Sequence, residues 1–164
     1  MDPFEREIVE LLPRLRRFAR ALAGHMADAD DLVQLTVERA LARRSQWIAG
    51  TRVDSWAMRI MKNAWIDEAR SRNRKRLTAV DDDFLERVAD PSVASQDMRV
   101  EAMAIRQAMG RLPEDQRLAV ALVLVEGLSY AEAAEVLEIP AGTLNSRLVR
   151  GRMALMSDLA GQEA

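Results

Sequence analysis

The chain contains no cysteine, a single histidine and a single tyrosine, and aromatic residues make up only 4% of its 164 residues. Without cysteine there is neither a disulfide nor a thiolate metal site, which suits a reducing cytoplasm. The one histidine, His25, follows the helix-ending Gly24 and reads as a surface loop residue rather than a general base or metal ligand. No Gly-rich phosphate loop and no His-Glu-x-x-His pattern occurs, and Ser129 reads as a helix cap, not a nucleophile. The sequence therefore predicts no enzyme: no catalytic residue, no metal and no cofactor. Strand-forming residues are scarce beside abundant Ala, Leu, Arg and Glu, which are good helix formers, so the expected fold class is all-α. Long apolar runs are missing too. The longest, Leu118 to Val125, is far short of the roughly 20 residues that cross a bilayer. The opening Met1-Asp2-Pro3-Phe4-Glu5 has neither the basic region nor the apolar run of a signal peptide. The expectation is a soluble, cytoplasmic protein without membrane insertion.

What is present describes a globular protein, with 49% hydrophobic and 30% charged residues. The length accommodates one ordinary domain or two small ones. A net charge of −2 argues at first against binding nucleic acid. The distribution overrides the total. Residues 52–76 carry eight Arg or Lys against three acids, whereas 77–101 carry seven acids against two arginines. A basic block precedes an acidic one.

Asp2-Pro3 signals a capped helix start, and Ile8, Leu11, Leu12, Leu15, Phe18, Ala19 and Leu22 follow at helical spacing. Pro13 is expected to kink this helix or split it in two. Asp28 is expected to cap a second helix carrying Leu32, Val33, Leu35, Thr36, Val37, Ala40 and Leu41, with Asp30 and Asp31 favoured in its first turn by the helix dipole. Residues 47–53 read as a loop. Asp54 is expected to cap a long helix from about Ser55 to Arg76, with Ala57, Ile60, Met61, Ala64, Trp65 and Ala69 facing a core. Its other face would carry Arg59, Lys62, Asn63, Ile66 and Arg70. Between Leu77 and Asp97 the helical period fades, and the domain boundary falls there, with a short helical turn expected around Phe84 to Val88. Two domains result, 1–76 and 98–164, joined by an acidic linker, 77–97. In the second, Met98 to Met109 forms a helix stopped by Gly110. Pro113 opens another, whose apolar run, Leu118 to Val125, implies burial nearly all round.

The sharpest pattern lies near the C-terminus. Ser129 and Glu132 suggest a capping box for a short helix to about Leu137. A tight turn, Glu138-Ile139-Pro140, leads into a longer helix. This is a helix-turn-helix arrangement, whose second helix enters the DNA major groove. Val136, Leu137, Ile139, Leu144 and Leu148 would form its core, and Ala133 and Ala134 permit close approach. Thr143, Asn145, Ser146, Arg147 and Arg150 would point outward towards bases and phosphates. A helical hairpin with a merely solvated polar face has the same pattern. Glu138 stands where such turns usually hold glycine, so strain is expected there. The basic run from Arg70 to Arg76 is a second nucleic-acid signal, with Trp47, Trp56 and Trp65 beside it as possible stacking surfaces; for Trp65, core packing is preferred. Asp28, Asp30 and Asp31 lack the spacing of a calcium loop, and read as a helix N-terminus or an acidic contact for a basic partner.

Together these segments resemble the extracytoplasmic-function sigma factors of the bacterial sigma-seventy family. Residues 28–36 (Asp-Ala-Asp-Asp-Leu-Val-Gln-Leu-Thr) look like the family's polymerase-binding motif, and residues 55–70 like its helix for the minus-ten element. Residues 112–117, 126–134 and 139–148 look like its C-terminal domain. The resemblance implies docking of Asp30, Asp31, Gln34 and Glu38 on the clamp helices of RNA polymerase core. It implies that Arg59, Lys62, Asn63, Arg70 and Asn73 hold a melted promoter strand, with a flipped base taken up at the 47–53 loop. The C-terminal helix would read the minus-thirty-five element as duplex. An anti-sigma factor is the implied regulator, in a stress-response setting. Asn145 replaces the family's usual lysine, and Gly151 inside the last helix is expected to cost about 1 kcal/mol relative to alanine. Two other readings fit parts of the pattern. One is a sigma-like mimic that sequesters an anti-sigma factor; the other is a polymerase-independent helix-turn-helix repressor.

Overall fold

The structure, a computed structural model, describes residues 1–76 and 96–163. The side chains of 69–76 and 162–163, and the expected helical turn at 84–88, lie outside the described residues. Helix α1 spans Pro3–Leu22, α2 Met26–Ala42 and α3 Val53–Arg76, with a 3-10 turn at Arg44–Gln46. Helix α4 spans Gln96–Arg111, α5 Glu114–Val120, α6 Tyr130–Leu137 and α7 Ala141–Glu163, with a π-helical turn at Ala121–Val125 after α5. The all-α expectation holds.

The start of α1 is fixed as its sequence implies. The Asp2 carboxylate accepts the Glu5 N–H at 2.9 Å and the Glu5 carboxylate accepts the Asp2 N–H at 3.3 Å, satisfying two otherwise orphaned donors. Pro13 does not divide the helix: α1 runs through it. Burial of Leu11, Leu15, Phe18 and Leu22 on one face outweighs the single hydrogen bond that proline removes. Two caps fall elsewhere than expected. Helix α2 begins at Met26 with His25 at its N-cap, and Asp28 lies in the first turn. Helix α3 begins at Val53, so Asp54 is already inside it.

Three helices of the first half pack together, α1 and α3 both against α2. Ala57, Ile60, Met61, Ala64 and Trp65 of α3 are all buried, as their spacing predicts. A smaller cluster of Phe4, Ile8, Ala40 and Ile60 takes in Trp47 and Trp56. The Phe4 ring lies 5.3 Å from Trp47 and 5.8 Å, edge on, from Trp56. Both indoles thus pack against Phe4, and Trp65 is core.

The second half is built on α5 and α7. The run Leu118 to Leu122 is buried, but Leu124 is 49% exposed. The all-round burial expected for this segment fails because the π turn changes the helical phase after Val120, as Glu126 N donates to Ala121 O at 2.9 Å. Gly151 is not a flaw in α7. It is buried, and an added Cβ would lie 2.7 Å from Val120 Cγ2 and 3.3 Å from the Gln116 carbonyl. Its missing side chain lets α7 cross α5 closely. At the helix-turn-helix, Ser129 Oγ accepts the Glu132 N–H at 3.1 Å. Glu132 completes no box, because its carboxylate pairs with Arg52 instead. Glu138 takes the left-handed conformation, φ 57°, the strain expected of a residue standing in for glycine.

The halves are not separate in space. Phe18 and Leu22 of α1, Met58 and Met61 of α3, Leu118 and Leu122 of the second half, and Leu144 and Leu148 of α7 belong to one buried cluster. Helix α6 packs on α3, and the π turn packs on α1.

Candidate nucleic-acid and polymerase interfaces

Asp30, Asp31, Gln34 and Glu38 are all exposed on α2. Their spacing is helical, so one surface presents three carboxylates and an amide, and Gln34 Nε2 donates to Glu38 Oε1 at 3.3 Å. Ala29, Leu32 and Thr36 bury the opposite side, and Thr36 Oγ1 satisfies itself on the Leu32 carbonyl at 2.7 Å. Asp30, Gln34 and Glu38 line a groove of about 660 Å³, with Arg16 and Arg20 of α1 facing them and Val33 and Val37 between. Charged walls over an apolar floor suit an amphipathic helical partner with basic residues.

The α3 residues expected to hold a strand are placed differently. Arg59 is half-buried, and its Nη2 donates to the Glu135 carbonyl of α6 at 2.8 Å. Lys62 is only 4% exposed, with Nζ 3.8 Å from Glu138 Oε2. Burial holds the Lys62 ammonium below its ordinary pKa; the Glu138 charge opposes that shift and the Arg59 charge adds to it. Asn63 is half-buried. Arg70 and Asn73 lie on α3 beyond the described side chains. Thr51, Arg52, Ser55, Trp56 and Arg59 line a pocket of about 320 Å³ whose far wall is α6, through Glu132, Glu135 and Val136. The front of α3 is thus covered by the helix-turn-helix.

The second candidate surface is more open. Asn145, Ser146 and Arg150 are exposed on α7, while Thr143 and Arg147 are half-buried. Arg147 Nε lies 3.6 Å from Asp115 Oδ2. Ser146 Oγ donates to the Gly142 carbonyl at 3.1 Å, which leaves its oxygen able to accept. Leu144 and Leu148 beneath them are buried, as the pattern requires.

Sequence reasoning missed the residues at the seam. Glu126 is buried and its carboxylate accepts from Arg14 Nε at 3.4 Å and from Arg17 Nε at 2.8 Å. Arg14 also reaches Asp54 at 2.9 Å, and Arg52 reaches it at 2.7 Å. Burial pushes the Asp54 pKa up, but hydrogen bonds from Arg52 and Arg14 outweigh this and hold it at about 2. Arg117 donates to the Met109, Gly110 and Leu112 carbonyls and, across the seam, to Leu22 O at 3.1 Å. The available signal was an acid, Glu126, closing an eight-residue apolar run, with two arginines three apart on α1.

Two family models match the chain: the Sigma2 domain of PhyR over residues 8–62, and Sigma-70, region 4, over residues 102–155. They meet the α1–α3 unit and the helix-turn-helix respectively. The ECF RNA polymerase sigma factor EcfG of Rhodopseudomonas palustris is 37% identical over 161 residues, covering 94% of this chain and 83% of that protein. SigE of Mycolicibacterium smegmatis, another such sigma factor, is 36% identical over 151 residues, 90% of this chain and 58% of that longer protein. Among solved structures, the sigma factor RpoE in complex with the anti-sigma factor NepR from Bartonella quintana superposes with a TM-score of 0.81. It is 31% identical, and the match covers 98% of each chain. Similarity that extends through both helical units and the segment between them identifies the chain as a member of the extracytoplasmic-function RNA polymerase sigma factor family.

Proposed function

We propose that this sigma factor directs RNA polymerase core to specific promoters and helps melt them, using three surfaces with separate tasks. The exposed acidic face of α2, Asp30, Asp31, Gln34 and Glu38, docks on core polymerase. Arg59, Lys62, Asn63, Arg70 and Asn73 of α3 hold the melted minus-ten strand. Unstacking and unpairing a base costs a few kcal/mol, and the pocket beside Trp56 and the 47–53 loop is where that cost is offset. Thr143, Asn145, Ser146, Arg147 and Arg150 of α7 read the minus-thirty-five duplex. Residues 1–76 and 98–164 act as separable units on the 77–97 linker, and tethering both through polymerase supplies an effective concentration that neither needs to generate alone.

The observation that carries this reading is the α2 surface, a cluster of acids left exposed among the described residues. A polymerase-independent repressor has no use for it. The relative crystallised with an anti-sigma factor supports a protein regulator of the same kind here. The protein works in the cytoplasm, where core polymerase is, and performs no catalysis itself.

The test is transcription from a matched promoter with purified core polymerase. Specific transcripts are expected with the wild type, and their loss with Asp31→Arg, which reverses charge on an exposed position. Tight duplex binding without initiation would favour the repressor. Failure of both, with retained binding to an anti-sigma factor, would favour the mimic.

A further inference from the structure

The arginines of α7 are not alike. Arg150 and Arg152 are exposed and have no acidic partner among the described residues. Arg147 is half-buried, and its Nε lies 3.6 Å from Oδ2 of Asp115, in the first turn of α5. Its guanidinium has no other ion pair or side-chain hydrogen bond among the described residues. The contact takes the inner nitrogen and leaves the two terminal ones, Nη1 and Nη2, for another partner.

Two features put Asp115 there. Gly151 lies one turn beyond Arg147, and the α5 backbone atom beside its missing Cβ is the Gln116 carbonyl, 3.3 Å away. The close crossing that Gly151 permits therefore brings the residue before Gln116 within reach of the residue one turn before Gly151. The carboxylate is also aimed. Asp115 Oδ1 accepts the Gln116 N–H at 2.9 Å, and Oδ2 is the oxygen offered to Arg147. Stability does not explain the pair, because its side chains are 32% and 50% exposed and water-screened pairs add little to folding. An acid beside a helix that meets DNA repels phosphate and lowers affinity for every sequence alike. It raises discrimination only if the arginine it holds reads a base.

We propose that Asp115 is a positioning residue for Arg147. It holds the guanidinium by Nε, so that the Nη1 and Nη2 edge meets a guanine of the minus-thirty-five duplex instead of the phosphate backbone. This role rests on the function proposed above, in which α7 reads that duplex. A long, unrestrained arginine takes the nearest phosphate, a contact without sequence information. Guanine O6 and N7 accept two N–H groups lying in one plane. A guanidinium already held in place loses less freedom when it makes that pair of bonds.

The experiment selects from duplexes randomised across the minus-thirty-five window, using wild type, Asp115→Asn, Asp115→Glu and Arg147→Ala, each full length and bound to core polymerase. Asparagine keeps the acceptor for the Gln116 N–H and removes the charge, so the thermal denaturation midpoint should not move. A merely structural role would move that midpoint and leave the selected sequences alone. Wild type is expected to prefer guanine at a position where Arg147→Ala shows no preference. Asp115→Asn should lose that preference about threefold, the scale of an exposed ion pair. It should also bind a duplex of unrelated sequence more tightly, with a salt slope steeper by about 0.9, the mark of one added phosphate contact. Asp115→Glu, which restores the charge, should regain most of the preference. An unchanged guanine preference in Asp115→Asn overturns the positioning role, as does an Arg147→Ala protein that keeps every preference. If wild type itself selects no sequence in the window, the assignment of α7 to that duplex falls, and the positioning role with it.

Discussion

Lys62 combines two roles that pull in opposite directions. Its ammonium is buried under α6 with one exposed carboxylate, Glu138, as partner. Exposed partners return little, and burial of the charge costs more. Lys62→Met is therefore expected to raise the stability of the free protein by about 0.5–1 kcal/mol in thermal denaturation, while promoter opening falls. A stability loss above about 1 kcal/mol would show that the ion pair stabilises on balance. Asp54 carries the opposite sign. Its carboxyl pKa is about 2 in the folded protein against 3.8 ordinarily, held down against burial by Arg52 and Arg14. The contribution is fully present above pH 4 and disappears as the pH falls through the folded value. Acid titration of the denaturation midpoint should slope downward between about pH 4 and pH 2, and Asp54→Asn should flatten that slope.

At the scale of elements, the contact between α5 and α7 is fixed by a residue with no side chain. Helix propensity alone favours alanine over Gly151 by about 1 kcal/mol. A Cβ 2.7 Å from the buried Val120 costs about 1–3 kcal/mol through overpacking, and the larger effect wins. Gly151→Ala is expected to lower stability by about 1 kcal/mol in urea titration, with a smaller loss in a Val120→Ala background, where the colliding methyl is gone. A gain in stability from Gly151→Ala would mean that the crossing can widen freely. Here sequence reading reached its limit for a clear reason. Spacing reveals which residues face inward along one helix, and it placed the core faces of α1 and α3 correctly. It does not reveal how close a second helix comes, so Gly151 looked like a cost. Nor does it register a π turn, so Leu124 was expected inside and Glu126 went unnoticed. The caps expected at Asp28 and Asp54 lie three and two residues too late, because a polar residue near a helix start does not by itself fix the boundary.

For the whole molecule, the acidic α2 face and the polar face of α7 were legible from residue type and period, and the structure leaves the four α2 side chains exposed, with Asn145, Ser146 and Arg150 of α7. The docking of the two halves was not, since it depends on contacts between residues a hundred positions apart, as between Arg17 and Glu126. The separation of tasks predicts separable defects. Arg147→Ala should weaken binding of holoenzyme to the upstream element by about 1–3 kcal/mol and leave binding to core polymerase unchanged, as read by co-purification with core. Asp31→Arg should do the reverse. A joint loss in Arg147→Ala would mean that α7 also takes part in docking.

Trp65 belongs to α3, is buried, and donates its indole N–H to the Glu114 carboxylate of α5. It therefore spans the same boundary as the ionic network but reports on it by light. Parting of the halves would hydrate the ring and shift its emission to longer wavelength. Trp47, packed on Phe4, would supply a steadier background, whereas Trp56 lines the pocket walled by α6 and would respond with Trp65. A chain without cysteine, awkward to label at a single site, thus carries a native optical gauge of the contact between its halves, readable in a stopped-flow mixing with polymerase.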